Sequence, residues 1–518
     1  MIGGYRVLPT FHPHNGSFPM RPITALLTPL VLVSGLLAGC GTPVVNPVTG
    51  RAERTVMDER SEIAEGQKAH QAVLQEYSVL QNPRLQAYVN GIGQKLAAQS
   101  HRASLTWTFT VLDSPEVNAF ALPGGYVYLT RGILAYMESE ADMAGVIGHE
   151  IGHVTARHGA QRATRQQNAG LGVLAASVLG AVLESQAGVA GGTEMFGQMA
   201  QGVAAGYVAS YSRDQELQAD NLGAEYLARS RYDPGNMVDV IRVLKSQESF
   251  AADEARAAGL PAPQGANWLS SHPSNDQRLQ SIGQNAAKYG KGQYGDDGRR
   301  RFLQAIDGIR FGESPEQGLT RGQHFYHAPL GFALTAPDGW RLQNSAESLT
   351  VVNPKGDAAL RLMGVPASLG NSHDAIIRKL FNPVDGQSTR GKVNGFDATH
   401  FSGVSQAQNG AKRTVRATVI TGPRDANYVL LYLAADAQAL QRNADGLMQA
   451  ERSFRAMSTA DQRAARPWQL RLVSMPAGGF AELARRAPVS EGRLQLLNGS
   501  YGRAAPPAGQ IVKTIVAE

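Results

Sequence analysis

The chain has 518 residues, 49 basic against 43 acidic side chains for a formal net charge of +6, and one cysteine. Its 43% hydrophobic content excludes a largely disordered chain, and a mean hydropathy of −0.23 excludes a polytopic membrane protein. The single cysteine excludes an intrachain disulfide framework and an all-thiolate zinc site, and no basic stripe interleaved with aromatics marks a nucleic-acid partner.

In chain order, an apolar run from Ile23 to Leu37 follows Arg21 and is broken by Thr28 and Pro29. It closes on Leu36-Leu37-Ala38-Gly39-Cys40. A charged start, a short apolar core and small residues before a cut describe a secretory signal, too short for a membrane span. Small residues followed at once by cysteine resemble the lipobox of bacterial lipoproteins. That resemblance implies cleavage before Cys40 and acylation of its thiol. Residues 1–39 are then a signal region, with Met20 as an alternative start, and residues 40–58 a lipidated tether. Gly41 after the lipidated position resembles the signal for delivery to the outer membrane.

From Ser61 to Ser100 apolar residues recur at helical spacing, among them Leu85, Tyr88, Val89, Ile92 and Leu96. Leu105 to Leu112 alternates as a strand, and Tyr126 to Thr130 is a second strand after the turn Pro123-Gly124-Gly125. Residues 131–165 read as helix, and Ala169 to Leu183 and Met195 to Tyr211 read as small-residue helices. They form a hairpin over the cleft that is either buried or dips into the membrane surface. Helical pattern resumes over Glu216 to Arg229. From His327 to Met457 strand patterns dominate, and Trp468 to Val516 reads β-α-α-β.

His149-Glu150-Ile151-Gly152-His153 is an HExxH motif inside a helical pattern. Residues four apart share a helical face, so both imidazoles reach one ion, with Glu150 one step round. A catalytic zinc takes three protein ligands and activates a water, whose proton Glu150 would accept and later pass to the leaving amine. The pattern arises by chance about 0.01 times in such a chain, so a third ligand is the test. The metzincin positions for it hold Ala156 and Gly159, and His158, five residues past His153, points away from the metal face and reads as a capping histidine or one that supports a ligand. Downstream, Glu216 and Asp220 lie four apart in Ser212-Arg213-Asp214-Gln215-Glu216-Leu217-Gln218-Ala219-Asp220. Glu216 can ligate zinc while Asp220 orients a ligand histidine; an exposed acidic face is the alternative.

HEIGHVTARH followed by SRDQELQAD resembles the gluzincin family of HtpX-type, Oma-type, CAAX prenyl and periplasmic assembly-quality proteases. Three further segments carry the resemblance: Asn118 to Gly125 before the strand, Glu225-Tyr226-Leu227-Ala228 leading to Tyr232-Asp233-Pro234, and Ser271-His272-Pro273-Ser274 running to Arg278-Leu279. It implies zinc, one ion per chain, on His149, His153 and Glu216, with Glu150 as general base and Asp220 as orienting group. It also brings His272 near the site, as a fourth ligand that holds the enzyme latent or as a substrate contact. Arg278 is a carboxylate or oxyanion partner, or a surface arginine. An exposed edge strand at Tyr126, Val127 and Tyr128 would bind an extended substrate as an added strand.

Ala336-Pro337-Asp338-Gly339-Trp340 looks like accessory domains attached to such proteases. The last block resembles a LysM glycan-binding module, with Ala477-Gly478-Gly479 where that pattern has Gly-Asp-Thr. The expected fold class is α+β: a mainly helical zincin-type protease domain with a small sheet at 59–290, a bridging helix and linker at 291–323, an α+β accessory domain at 324–457, a linker at 458–467 and a βααβ module at 468–518. The expected protein is a periplasmic, lipid-anchored zinc metalloendopeptidase, acting on unfolded or misassembled envelope proteins. Its other partners are the membrane and peptidoglycan. The alternatives are a zinc amidase acting on peptidoglycan and a holdase-like assembly factor.

Overall fold

The computed structural model describes residues 42–165, 211–257, 272, 276–290, 294–345, 348–406 and 412–518. Cys40, the signal region, the block 169–183 and all of the block 195–211 except Tyr211 lie outside them.

Strands β1 (Thr42–Val45) and β2 (Ala52–Thr55) form an antiparallel hairpin. Asn46 holds its turn, its Oδ1 accepting from the N–H groups of Val48 at 2.9 Å and Thr49 at 3.1 Å. The expected helical stretch after it is two helices, α1 (Glu59–Glu76) and α2 (Pro83–Ala97). Asp58 caps the first, and Asn82 caps the second ahead of Pro83, whose missing N–H costs nothing in a first turn. Leu85, Val89, Ile92 and Leu96 bury one face of α2.

Strands β3 (Thr108–Leu112), β4 (Ala119–Leu122) and β5 (Tyr126–Thr130) form a sheet in the order β3-β5-β4. The expectation of an edge at Tyr126, Val127 and Tyr128 is corrected here. The Pro123-Gly124-Gly125 turn folds β5 back against β4, and β3 pairs in parallel along its other side, so all three residues are paired on both sides. Among the described residues the edge strand nearest the metal motif is β4.

Helix α3 (Arg131–Tyr136) is followed by α4 (Glu140–Thr155), capped by Ser139 and buried along its whole length. A helix with no wet face is a core helix. Helix α5 (Arg213–Arg229) begins with a capping box between Ser212 and Gln215. It crosses α4 closely: a Cβ on Gly152 would stand 2.8 Å from the Ala219 carbonyl oxygen, and one on Gly223 would stand 3.0 Å from the His149 nitrogen. These two glycines let the backbones meet, so that side chains of one helix reach between those of the other. Helices α6 (Asn236–Ala257), α7 (Asp276–Ala287) and α8 (Arg299–Ile306) complete the helical layer.

The core of this unit runs from Leu85 to Ile309 and then takes in Leu470, Phe480, Leu494, Leu497, Val512 and Ile515. The last block has the expected order, strands Trp468–Ser474 and Ile511–Ala517 around helices Gly479–Ala484 and Glu491–Leu497. It packs against α3, the residues that follow it, and α6: buried Lys513 donates to the carbonyls of Ala135 at 3.0 Å and Met137 at 2.7 Å and pairs with Glu138 at 2.7 Å.

Between these pieces lies a seven-stranded antiparallel sheet. Its core gathers Phe332, Leu360, Tyr428, Leu430 and Phe454. The polar stretch before the last block carries a short helix, Thr459–Ala464. The fold is α+β, as expected, with a mainly helical first unit. No helix among the described residues is long and apolar enough to cross a membrane.

Candidate metal centre

Helix α4 presents His149 and His153 one turn apart, and α5 presents Glu216 and Asp220 one turn apart. The two ring Nε2 atoms are 3.0 Å from each other. The Glu216 carboxylate reaches them at 3.4 Å from His153 and 3.6 Å from His149. His272 closes the group, its Nδ1 lying 3.1 Å from His149 Nε2 and 3.0 Å from Glu216. One donor atom from each of the four falls within 4.8 Å of all the others. All four side chains are buried.

Behind this group stands an ionic brace. Asp220 accepts from His149 Nδ1 at 2.9 Å and from Arg278 Nε at 2.7 Å and Nη2 at 2.9 Å. Arg278 also pairs with Glu216 at 2.8 Å and donates to the His272 carbonyl at 3.0 Å. Burial by itself would raise the pKa of both carboxylates. For Glu216 the charges of His272 and Arg278 outweigh it and hold the group well below its ordinary value, and for Asp220 Arg278 does the same. Burial keeps His153 far below the usual imidazole value, hence neutral. Glu150 is fully buried, one of its oxygens 3.5 Å from His272 Nε2.

The sequence-derived set His149, Glu150, His153, Glu216, Asp220, His272 and Arg278 thus meets in one place, whereas Tyr126, Val127 and Tyr128 belong to the sheet interior. Arg213 lies exposed at the start of α5. Two neighbours were not singled out as site groups. His158 lies against the far side of His153, 2.8 Å between Nδ1 atoms, and burial pushes it down to about 4, so it is neutral near pH 7. Helical geometry would aim it elsewhere, but α4 ends at Thr155 and Arg157 takes a left-handed φ of 57°, which turns the chain back. Tyr211 stacks on the His153 ring at 3.8 Å between centroids; its only sequence signal was its position before the capping serine of α5.

The donor set fits a metal ion. His149 gives its Nδ1 proton to an ionised carboxylate, so its Nε2 carries a lone pair, and that lone pair faces a second imidazole nitrogen and an ionised Glu216. Buried acceptors converging this closely repel one another unless a cation lies among them. Two imidazoles and one carboxylate, with a carboxylate behind one ring, suit zinc-type coordination.

Residues 83–286 match the model of Peptidase family M48. This segment, which holds His149, Glu150, His153, Glu216, Asp220, His272 and Arg278, is similar to that family of metallopeptidases. The chain is 29% identical over 250 residues to the putative beta-barrel assembly-enhancing protease of Vibrio cholerae, covering 48% of each chain. It is 31% identical over 205 residues to the beta-barrel assembly-enhancing protease of Escherichia coli K12, covering 39% of each. To the mitochondrial metalloendopeptidase OMA1 of Arabidopsis thaliana it is 30% identical over 188 residues, 36% of this chain and 33% of that one. The chain spans about half or less of the length of these relatives.

Proposed function

We propose that this protein is a zinc metalloendopeptidase that cleaves unfolded or misassembled proteins of the bacterial envelope, held at the membrane through an acylated Cys40. The convergence of His149, His153 and Glu216, backed by Asp220 and Arg278 and flanked by buried Glu150, is the observation that carries this reading. The names of the bacterial relatives support the envelope setting. Peptidoglycan remains a proposed contact of the terminal block, on its LysM-like pattern alone.

His149, His153 and Glu216 would hold zinc. When bound, it supplies Lewis-acid polarisation of the scissile carbonyl and of a water. Glu150 takes the water's proton and delivers it to the departing amine nitrogen. Asp220 keeps His149 protonated on Nδ1, and Arg278 keeps both Asp220 and Glu216 ionised. An extended substrate would lie along the outer edge of β4, whose Ala121 and Leu122 share a small cleft with His153 and Tyr211. Backbone pairing there asks little of the substrate's sequence, which suits misfolded clients. His272 stands against the metal donors as a fourth ligand that holds the enzyme latent until substrate displaces it.

Casein cleavage by the wild type, Glu150→Gln and His272→Ala, with peptidoglycan digestion in parallel, tests this. Expected are casein cleavage lost in Glu150→Gln and increased several-fold in His272→Ala. Peptidoglycan release without casein cleavage, even in His272→Ala, would sink the protease reading in favour of an amidase. A His272→Ala rate no higher than wild type would remove latency alone.

A further inference from the structure

The hairpin β1–β2 begins just past the anchor cysteine, and its burial is inverted. Val45 is 66% exposed and Val48 37%, whereas Asn46 between them is 2% exposed. Apolar burial therefore does not dock this turn; its contacts with the catalytic unit are polar. Val56 N–H donates to Thr164 at 3.0 Å, Arg157 donates to the Met57 carbonyl at 2.8 Å, and Gln161 bridges Glu53 and Gln215.

The Asn46 amide leads from this turn to the metal donors. Its Oδ1 is committed to the N–H groups of Val48 and Thr49, which sets the amide's orientation, so Nδ2 faces inward and donates to Glu53 at 2.9 Å and to Gln218 Oε1 at 2.8 Å. Gln218 Oε1, an acceptor only, also contacts His158 Nε2 at 3.2 Å, so that nitrogen carries the proton. A neutral ring has one N–H, which leaves His158 Nδ1 as an acceptor. The proton in the 2.8 Å contact between His158 Nδ1 and His153 Nδ1 then belongs to His153. With its proton on Nδ1, His153 turns the lone pair of Nε2 toward His149 and Glu216.

We propose that Asn46, Gln218 and His158 are positioning residues that fix the tautomer and ring orientation of His153, making the turn behind the lipid anchor a working part of the metal site. The inference deepens the zinc-protease reading and rests on it. It also separates the two ligand rings: His149 is oriented by an ionised carboxylate, and His153 by a neutral relay that starts in the tether. A tether that lifts away would remove the Asn46 donor that fixes the Gln218 amide, and with it the hold on the His158 tautomer that faces His153.

The test measures zinc dissociation constants by chelator competition, casein kcat and KM, and imidazole ¹⁵N shifts of the metal-free full-length protein. Wild type is expected to show His153 protonated on Nδ1 and His158 on Nε2. His158→Phe, which removes the acceptor but fills the space, should weaken zinc binding by roughly 10- to 100-fold and lower kcat with little change in KM. Asn46→Asp keeps the turn acceptor for Val48 and Thr49 but loses the inward donor, and should weaken zinc binding by roughly 3- to 10-fold. Gln218→Leu should behave like His158→Phe, with Gln218→Glu, still an acceptor, recovering most of the loss. Circular dichroism of each variant confirms folding, and the wild-type shifts test the tautomers even where a variant does not fold. The opposite tautomer in wild type, or a folded His158→Phe with wild-type zinc affinity, overturns this inference alone. A wild type that binds no zinc overturns the protease reading together with it.

Discussion

The catalytic unit and the accessory sheet each bury a carboxylate among polar partners, to opposite effect. In the sheet, Glu451 is 5% exposed and accepts from the hydroxyls of Thr418 and Tyr432, each at 2.6 Å, so donors and acceptors match. In the catalytic unit, Glu216 and the ring nitrogens of His149 and His153 crowd one point as acceptors, and what charge balance they have comes from Arg278 and His272 at the side. A matched buried cluster holds a fold together. A mismatched one, braced from behind, presents ligands.

That contrast can be broken by mutation. Glu150→Gln should lower casein kcat by roughly 10²- to 10⁴-fold with zinc still bound, measured by single-turnover cleavage and metal analysis. Asp220→Asn removes the group that orients His149, so zinc affinity should fall by roughly 10- to 100-fold in chelator competition. In the sheet, Glu451→Ala strands two buried hydroxyls and should cost about 1–3 kcal/mol in urea unfolding, with casein cleavage unchanged. A catalytic loss there would mean the two clusters are coupled, and the distinction would fail.

The smallest effect concerns pH. Asp461 is held below its ordinary value, chiefly by its hydrogen bond to Arg455, and its carboxylate accepts from the N–H of Ser458 to complete the capping box of the helix Thr459–Ala464. A carboxylate depressed in the folded state stabilises the fold above its unfolded pKa of about 4 and loses that contribution as pH falls toward the folded value. Wild type should therefore exceed Asp461→Asn by about 1 kcal/mol near pH 7, an advantage that shrinks below about pH 4. Urea midpoints across that range would show it, and a constant difference would refute the linkage.

Much of the metal site was legible because its signals are local. HExxH and ExxxD each place two side chains on one helical face, and that follows from backbone geometry alone. His272 and Arg278 were drawn in by resemblance. The strand at Tyr126 was found, but its place in the sheet was not, since a run of alternating residues does not say how many neighbours it has. His158 was set aside as a ligand, and it does lie behind one; its contact with His153 depends on Arg157, a single left-handed residue that ends the helical periodicity. The terminal block showed its β-α-α-β order, whereas its packing against α3 depends on long-range contacts such as Lys513 with the carbonyls of Ala135 and Met137.

The sequence by itself determined which donors exist and which pairs share a face, because residues four apart on a helix meet whatever surrounds them. Only the tertiary structure decided that α4 and α5 cross at Gly152 and Gly223 closely enough to seat Glu216 between the histidines. It likewise decided that Asn46 reaches Gln218 across 172 positions of chain. Contacts of that kind are set by how packed elements exclude water and satisfy buried polar groups, and that balance is struck over the whole fold rather than within any one segment.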